Sequence, residues 1–249
     1  MVSTDTGVWD ALVAWLHGIG IHLGADVVNE MGSQVGTGVA DAAAKLDMPS
    51  LLALAAALGW ASGFRLYAVV FLVGGSGAMG WIPLPEGLQV LQHPAMLSAS
   101  GLMLFMEFFA DKIPGLDSLW DMLNSVIRIP AGAALAAGAL GADGGTMALV
   151  GALLGGGLAA TSQAAKTTTR AAINTSPEPF SNIGMSLLED GMVVGAVWLA
   201  TNHPVAFGIL LVIAVVLMWI VTWMLFKFLR AVIRRMSAFF SSAAQKEAL

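Results

Sequence analysis

The sequence predicts an all-α integral membrane protein with six transmembrane helices and an additional N-terminal amphipathic helix. Of 249 residues, 57% are hydrophobic and 11% are charged, whereas a soluble globular protein carries about 25% charged residues. The mean hydropathy is +0.81, and the apolar residues form long blocks, since about 20 helical residues cross a hydrocarbon core about 30 Å thick. Gly and Ala dominate these blocks, which disfavours strands and favours closely packed helices.

The apolar blocks divide the chain into an N-terminal segment (1–48), a membrane domain (49–228) and a basic tail (229–249). The third block is long enough only if it starts near Asp117 and contains Pro130 as a kink, which membrane helices tolerate. The fourth starts after a Gly-rich turn at 141–145. The first two predicted spans are 51–73 and 95–110. The third runs from 117 to the Gly-rich turn at 141–145, and the fourth from that turn to 166. The last two are 183–200 and 205–228.

The distribution of Lys and Arg predicts the orientation, because short cytoplasmic loops collect these residues. A basic cluster at 227–235 follows the sixth span and places that end in the cytoplasm. Alternation across six spans then assigns Lys45, Lys112, Lys166 and Arg170 to cytoplasmic ends as well. The three connections on the other side (74–94, 141–145 and 201–204) contain no Lys or Arg. We therefore expect a multi-pass protein with both termini in the cytoplasm.

The N-terminal segment predicts an amphipathic helix over 8–23, lying at the membrane interface or on the other helices. His22, Asp26 and Glu30 follow at intervals of four residues and would share one face. A metal site there is conceivable. The alternative, which we favour, is a solvated polar stripe, so no metal is assigned.

Each half of the chain has a similar order of features, which suggests an inverted repeat of three spans plus three spans, as in many secondary transporters. Both halves contain an Ala/Gly-rich helix, an Arg (Arg65 or Arg170), a Pro-Glu segment and a helix with two acids. The spacings between these features differ between the halves. Chance similarity of two Gly/Ala-rich hairpins is the alternative.

Charged residues inside the spans are the main functional candidates, because each costs about 2.5–3.5 kcal/mol at a helix centre unless it is paired or faces water. Glu107 and Asp111 lie one turn apart on one helix face, while the adjacent Glu189 and Asp190 point in different directions. We expect Glu107 and Glu189 to face a polar cavity, with Arg65 or Arg128 as counter-ions. The alternative is a set of structural ion pairs, with Asp111 and Lys112 at the headgroup level.

Two polar segments join spans on the predicted cytoplasmic side. In 110–118, Asp117 or Ser118 is placed to cap the third helix. The segment 167–182 is rich in Ser, Thr and Asn, and it could dip into a cavity as a binding loop or serve as a surface linker. Its candidate binding residues are Arg170, Asn174, Ser176 and Glu178.

Three of these runs together resemble a known family: ASGFRLY (61–67), EFFADKIPGLDS (107–118) and NTSPEPFSN with the following LLEDG (174–191). They resemble a bacterial membrane family catalogued as domain of unknown function 4126. The resemblance covers about residues 50 to 202 and leaves the N-terminal helix and the last span as additions. It implies a bacterial cytoplasmic (inner) membrane location but no established activity, substrate or site residues.

Several kinds of chemistry are disfavoured. The chain has no Cys, which excludes thiol nucleophiles and thiolate metal sites. Its net charge of -5 argues against nucleic-acid binding. The G-x-G-x-x-G pattern at Gly75, Gly77 and Gly80 is followed by a Pro-containing loop where a dinucleotide site needs a helix. No cofactor is predicted.

The function expected first is a small secondary transporter, or a pathway for a proton, a small cation or a small solute, that uses the intramembrane carboxylates. The first alternative is a membrane interaction or assembly protein in which the buried charges are structural. A weaker alternative is a protein that handles lipid headgroups through 167–182. The lipid bilayer is the predicted surrounding, and a homo-oligomer is left open.

Overall fold

A computed structural model describes residues 47–113, 116–141, 144–175 and 179–247. Within these ranges, the side chains at 117, 118 and 179 and from 236 on are left out of the description. These residues contain a short 3-10 helix at Glu86–Gln92 and α-helices elsewhere, with no strand. The α-helices are α1 (Met48–Ala78), α2 (Pro94–Ala110), α3 (Leu116–Leu140), α4 (Gly145–Ile173), α5 (Pro179–Asn202) and α6 (Pro204–Glu247). The predicted N-terminal helix and its polar stripe lie outside the described residues.

The composition of these helices is that of a membrane protein. By total length and composition, five of the described helices, including the broken α1, are long and apolar enough to cross a bilayer, and α2 is a shorter apolar helix of 17 residues. Leu, Val, Trp and Phe side chains remain exposed along α6, where a soluble protein would be polar. The chain is therefore a multi-pass helical membrane protein.

Helix starts follow local sequence signals. Asp47 caps α1, because its side chain accepts a hydrogen bond from the Ser50 amide at 3.1 Å. This hydrogen bond lowers the pKa of Asp47. His93 caps α2 in the same way, with its Nδ1 accepting from the Ala95 amide at 3.2 Å. Pro130 lies inside α3, as predicted.

α3 and α4 form a tight antiparallel pair, and the directions of the other helices are described relative to it. A methyl group placed on Gly155 would overlap Gly132 and Ala136, so the two helix backbones touch there. Gly151 packs against Ala136 in the same way, which agrees with the predicted small-residue packing of Gly151 and Gly155. The turn between these helices, at Gly144, marks one end of the bundle. We call it the Gly144 end, and the opposite end, where Lys112 lies, the Lys112 end.

Helix α1 does not run straight through the bundle. Arg65 has non-helical backbone angles (φ -145°, ψ 81°) and divides α1 into a first arm (48–64) and a second arm (66–78). Gly59 packs on Gly155 and Gly63 packs on Ser162, so the first arm runs parallel to α4, towards the Lys112 end.

The second arm returns to the end from which the first arm came. Gly74 packs on Leu91, and the nearby Gly87 packs on Gly138, two residues before the end of α3. A straight helix would place Gly74 about 14 Å beyond Arg65, at 1.5 Å per residue, far from Gly138. The two arms therefore form a re-entrant hairpin whose tip is Arg65.

The reversal differs from the single continuous helix predicted for 51–73. The arms, at 17 and 13 residues, are about 26 and 20 Å long, each shorter than a hydrocarbon core of about 30 Å. Hydropathy could not reveal the break, because the Ala/Gly-rich composition is the same on both sides of Arg65. The hairpin is tolerated because protein covers it, since almost every residue from Ala53 to Val70 is buried.

The hairpin also changes the relation between the ends of the membrane domain. Asp47 lies at the Gly144 end, whereas α6 begins there and runs antiparallel to α5 towards the Lys112 end. Asp47 and Arg235 are thus at opposite ends of the bundle, and the location of both termini in the cytoplasm stays a prediction. Residues 1–46 are outside the described part.

Other boundaries differ from the predicted ones in smaller ways. α4 continues to Ile173 and α5 begins at Pro179, so much of the predicted polar loop is helical. α6 continues past Phe228 to Glu247, so the basic tail extends the last helix. α3 begins at Leu116, so Asp117 and Ser118 lie within the helix and do not precede it as caps. The first elements of the two halves also differ, since α1 reverses and α4 does not. The inverted repeat therefore stays a prediction.

Candidate functional site

Polar stripes on three helices converge where the tip of the hairpin lies. On α3, Asp121, Asn124 and Arg128 are spaced by three and four residues, and on α4, Gln163, Lys166 and Arg170 have the same spacing. This spacing puts each set on one helix face. α5 contributes its own stripe of Asn182, Ser186 and Glu189.

The stripes and the ends of α1 and α2 assemble an ionic cluster of nine side chains. Each carboxylate in it lies within 4 Å of at least one cationic side chain. Its members are Arg65, Glu107, Asp111, Asp121, Arg128, Lys166, Arg170, Glu189 and Asp190.

Arg65 links the hairpin tip to α2 and α5. Its Nη2 lies 2.6 Å from Asp111 Oδ2, and its Nε lies 2.9 Å from Asp190 Oδ1 and 3.8 Å from Glu189 Oε2. Nη2 also donates a hydrogen bond to Ser186 Oγ at 2.5 Å. The backbone break thus coincides with the residue whose side chain makes ion pairs to both α2 and α5.

Lys166 occupies the centre of the cluster. Its Nζ lies 3.0 Å from Glu189 Oε2, 3.1 Å from Asp121 Oδ1 and 3.8 Å from Glu107 Oε1. It also donates to the backbone carbonyl of Phe64 at 2.9 Å. That carbonyl ends the first arm, where helix carbonyls lack partners and carry partial negative charge. Lys166 therefore stabilises the break as well as the acids.

Two arginines complete the pairing. Arg128 Nη2 contacts Glu107 Oε1, and Nη1 lies 2.8 Å from Asp121 Oδ1 and donates to Gln163 Oε1 at 3.0 Å. Arg170 Nη2 lies 3.3 Å from Glu189 Oε2 and 3.5 Å from Asp111 Oδ2. The cluster is thereby one connected network across α1 to α5.

The network is buried but not fully hydrogen-bonded. Glu107 has no exposed surface and Glu189 is 1% exposed. At least one oxygen of each of four buried acids accepts no hydrogen bond from the described residues. These atoms are Glu107 Oε2, both carboxylate oxygens of Asp111, Asp121 Oδ2 and Glu189 Oε1. Buried polar atoms of this kind are normally satisfied, so the cluster has unused capacity for protons or polar partners.

Asp190 is the acid of the described cluster that reaches the surface, with a third of its side chain exposed. It lies towards the Lys112 end. Lys112 itself sits over the Phe108 ring, with Nζ 2.8 Å from the ring centroid. Loss of hydration there, with repulsion from Arg65, lowers the pKa of Lys112, while Asp190 and Asp111 oppose that shift.

The predicted site residues fall into three groups. The structure brings Arg65, Glu107, Asp111, Arg170, Glu189 and Asp190 together in the cluster. Arg65 and Arg128 pair with the acids, as expected, and Asp111 is fully buried and paired with Arg65. Asn174 lies outside the cluster and accepts a hydrogen bond from Asn182 at 3.0 Å. Ser176 and Glu178 are outside the described residues.

Two cluster residues were not predicted as site residues. Asp121 was not considered, and Lys166 was assigned to a cytoplasmic helix end, whereas it is 2% exposed in the centre of the cluster. The matched spacing of the α3 and α4 stripes is the sequence signal that could have identified both. Because Lys166 and Arg170 are buried, they no longer count as loop cations in the orientation argument.

Two cavities among the described residues lie away from this network. One, of about 310 Å³, lies between the second arm, α2 and α3 and is bordered by Val70, Met103 and Leu135. The other, of about 370 Å³, lies between Trp60, α5 and α6. Both have apolar walls, and neither includes a member of the cluster. Among the described residues, no three His, Asp or Glu side chains are arranged to hold a metal ion.

Comparison with known proteins identifies the family. No curated protein and no solved structure matches the chain. The family described as Domain of unknown function (DUF4126) matches residues 52–225, so the match extends beyond the predicted 202 into α6. It covers most of the hairpin, every member of the cluster and most of the membrane domain, and the chain belongs to this family.

Proposed function

We propose that this protein is a small secondary transporter, or a pathway for a proton or a small cation, in which the ionic cluster is the ion-handling site. The observation that carries this proposal is the meeting of the broken helix α1 with a network of buried carboxylates that have unsatisfied oxygens. Discontinuous helices that place irregular backbone beside charged groups are typical of transporters.

The burial of the cluster fits an occluded state. In alternating access, the site is closed from both sides between its two open states. The hairpin is a suitable moving element, because its tip is held by side-chain contacts from Arg65 while its arms pack through small residues.

The proposed orientation places the Lys112 end in the cytoplasm. Lys112 and the cations at 227–235 lie at or beyond that end, and the connections at the Gly144 end have no Lys or Arg. Asp47 is then on the outer side of a bacterial inner membrane.

The test is proton flux into proteoliposomes under a potassium-diffusion potential, reported by an entrapped pH dye. We expect flux above that of empty vesicles for the wild type, and its loss in Glu107→Gln and Glu189→Gln. Glu86→Gln, at an exposed acid outside the cluster, is the matched control and keeps the flux. The variants are compared only if their elution profiles and thermal stability show folded protein. Undiminished flux in folded Glu107→Gln and Glu189→Gln would overturn the proposal.

A second candidate function is a membrane interaction or assembly protein with a purely structural cluster. The favouring observation is that both described cavities are apolar and lie away from Glu107 and Glu189. In that case wild-type flux equals that of empty vesicles, and the Gln variants lower only expression and stability.

A further inference from the structure

The last helix, α6, has a long uncharged part followed by a strongly basic part. From Pro204 to Phe226 it contains no Asp, Glu, Lys or Arg, and this run is about 34 Å long at 1.5 Å per residue. A hydrocarbon core is about 30 Å thick. A span that begins near Pro204 at the Gly144 end therefore brings Lys227 to the opposite membrane surface.

Trp223 and Lys227 mark the same surface by a second criterion. Lys227 Nζ lies 3.6 Å from the centroid of the Trp223 ring, in a cation–π contact. Both side chains are exposed. Trp is enriched where the hydrocarbon meets the headgroups, and long cationic side chains near helix ends extend into the headgroup layer. The basic part of α6 thus begins at the depth of the headgroups.

The cations of this part lie on one side of the helix. Lys227, Arg230 and Arg234 follow at intervals of three and four residues, which places them within about 60° around the helix axis. Arg235 lies beside them, and all four side chains are exposed. We call these four residues the basic face. The chain as a whole has a net charge of -5, but α6 contains no Asp or Glu before Glu247, so the positive charge of this face is a local feature.

The opposite side of the same turns is apolar. Its large side chains are Phe228, Leu229, Val232 and Ile233. Phe228 is 50% exposed and Ile233 is 65% exposed. A nucleic acid or a soluble acidic protein on the basic face would leave these two side chains in water. A bilayer surface accommodates both sides of a basic amphipathic helix, because it offers anionic headgroups and hydrocarbon together.

We propose that the basic face binds the headgroup of an anionic phospholipid. Arg230 and Arg234 lie one turn apart and donate hydrogen bonds to phosphate oxygens, for which the planar guanidinium group is well suited. Lys227 adds a positive charge at the boundary with the hydrocarbon. The acyl chains of the same lipid lie along the exposed apolar surface of α6. This inference is independent of transport, since none of these residues belongs to the ionic cluster.

The experiment is native mass spectrometry of the purified protein in detergent, mixed with equal amounts of phosphatidylglycerol and phosphatidylcholine that have identical acyl chains. One cation near an anionic headgroup favours binding roughly fivefold. We expect the wild type to retain severalfold more phosphatidylglycerol, and the combined variant Lys227→Gln, Arg230→Gln, Arg234→Gln to retain the two lipids about equally. Arg230→Gln alone should lower the ratio. Lys112→Gln is the matched single control, because it removes a cation on α2 at the same end of the bundle, and it should keep the wild-type ratio.

Three results would contradict the proposal. Equal retention of the two lipids by the wild type would leave a soluble anionic partner as the occupant of the basic face. A wild-type ratio in the folded combined variant, or an equal decrease in Arg230→Gln and Lys112→Gln, would place the lipid preference elsewhere. If the combined variant does not fold, the wild type decides alone in ammonium acetate raised from about 0.05 to about 0.5 M. Salt screens exposed charges, so the ratio should fall towards one, and a ratio that does not change with salt would rule out the basic face.

Discussion

Arg65 Nη2 lies 2.6 Å from Asp111 Oδ2, and this ion pair joins the tip of the re-entrant hairpin to the end of α2. Both side chains are fully buried. The contact explains how a charged residue can interrupt a helix inside a membrane protein: the charge is paired, and the broken backbone is covered by protein. Three predictions follow from the hairpin, the ion pairs and the glycine contacts.

The re-entrant hairpin predicts the sidedness of single cysteines. The chain has no Cys, so each introduced thiol is read without background. A membrane-impermeant thiol reagent is expected to label Met48→Cys and Trp81→Cys from one side, and Ile113→Cys and Arg235→Cys from the other. Labelling of Met48→Cys from the side of Ile113→Cys would show instead that α1 crosses the membrane once.

The contact between Glu107 and Arg128 predicts non-additive stability effects. Removing one partner of a buried ion pair costs about 3–5 kcal/mol, because the other charge is left uncompensated. We expect both Glu107→Gln and Arg128→Met to lower the thermal stability of the protein in detergent. The double variant should lose less than the sum of the two, by about 0.5–3 kcal/mol.

Strict additivity in this cycle would mean that the two side chains do not interact in solution. Asp121 must be considered in its interpretation, since Arg128 also contacts it at 2.8 Å. Because Asp121 keeps Lys166 as a partner at 3.1 Å, the double variant leaves it paired.

The first arm depends on close backbone contact at Gly59 and Gly63. A methyl group at Gly59 would overlap the Gly155 backbone, and one at Gly63 would overlap Ser162 and Ala159. Gly59→Ala and Gly63→Ala are therefore expected to lower stability by about 1–3 kcal/mol through overpacking, measured by thermal unfolding in detergent.

Gly157→Ala on the lipid-facing side of α4 is the matched control, since no atom lies within 4 Å of a methyl group there. It should be neutral or slightly stabilising, because Ala favours helix more than Gly does. Equal changes in stability at Gly59 and Gly157 would show that the close packing of the first arm does not decide the effect.

Composition and hydropathy were sufficient to predict the helical membrane fold and most helix positions. They could not predict the reversal of α1, because a single residue with φ -145° leaves no trace in an Ala/Gly-rich run. The charged Arg65 in the middle of that run was the one local signal of an interruption. The cost of burying Arg65 predicted that it had partners, but their identity depends on how α2 and α5 pack in three dimensions.

The candidate site was predicted in part for a similar reason. Glu107 and Glu189 were identifiable because single acids in apolar helices are conspicuous. Lys166 lay near a predicted helix end, where a cation has an ordinary explanation in the orientation rule. Only the extension of α4 to Ile173 moves it into the interior.

The contacts of Arg65 also bear on the order in which the segments of this protein are synthesised and inserted into the membrane. Ser186, which accepts its hydrogen bond, lies 121 positions further along the chain, and the paired carboxylates also follow Arg65 in sequence. A ribosome therefore delivers both arms of the hairpin to the insertion machinery well before the groups that neutralise its tip. We therefore expect the tip to reach its final depth only after α5 has emerged, because the partners that neutralise Arg65 are complete only then.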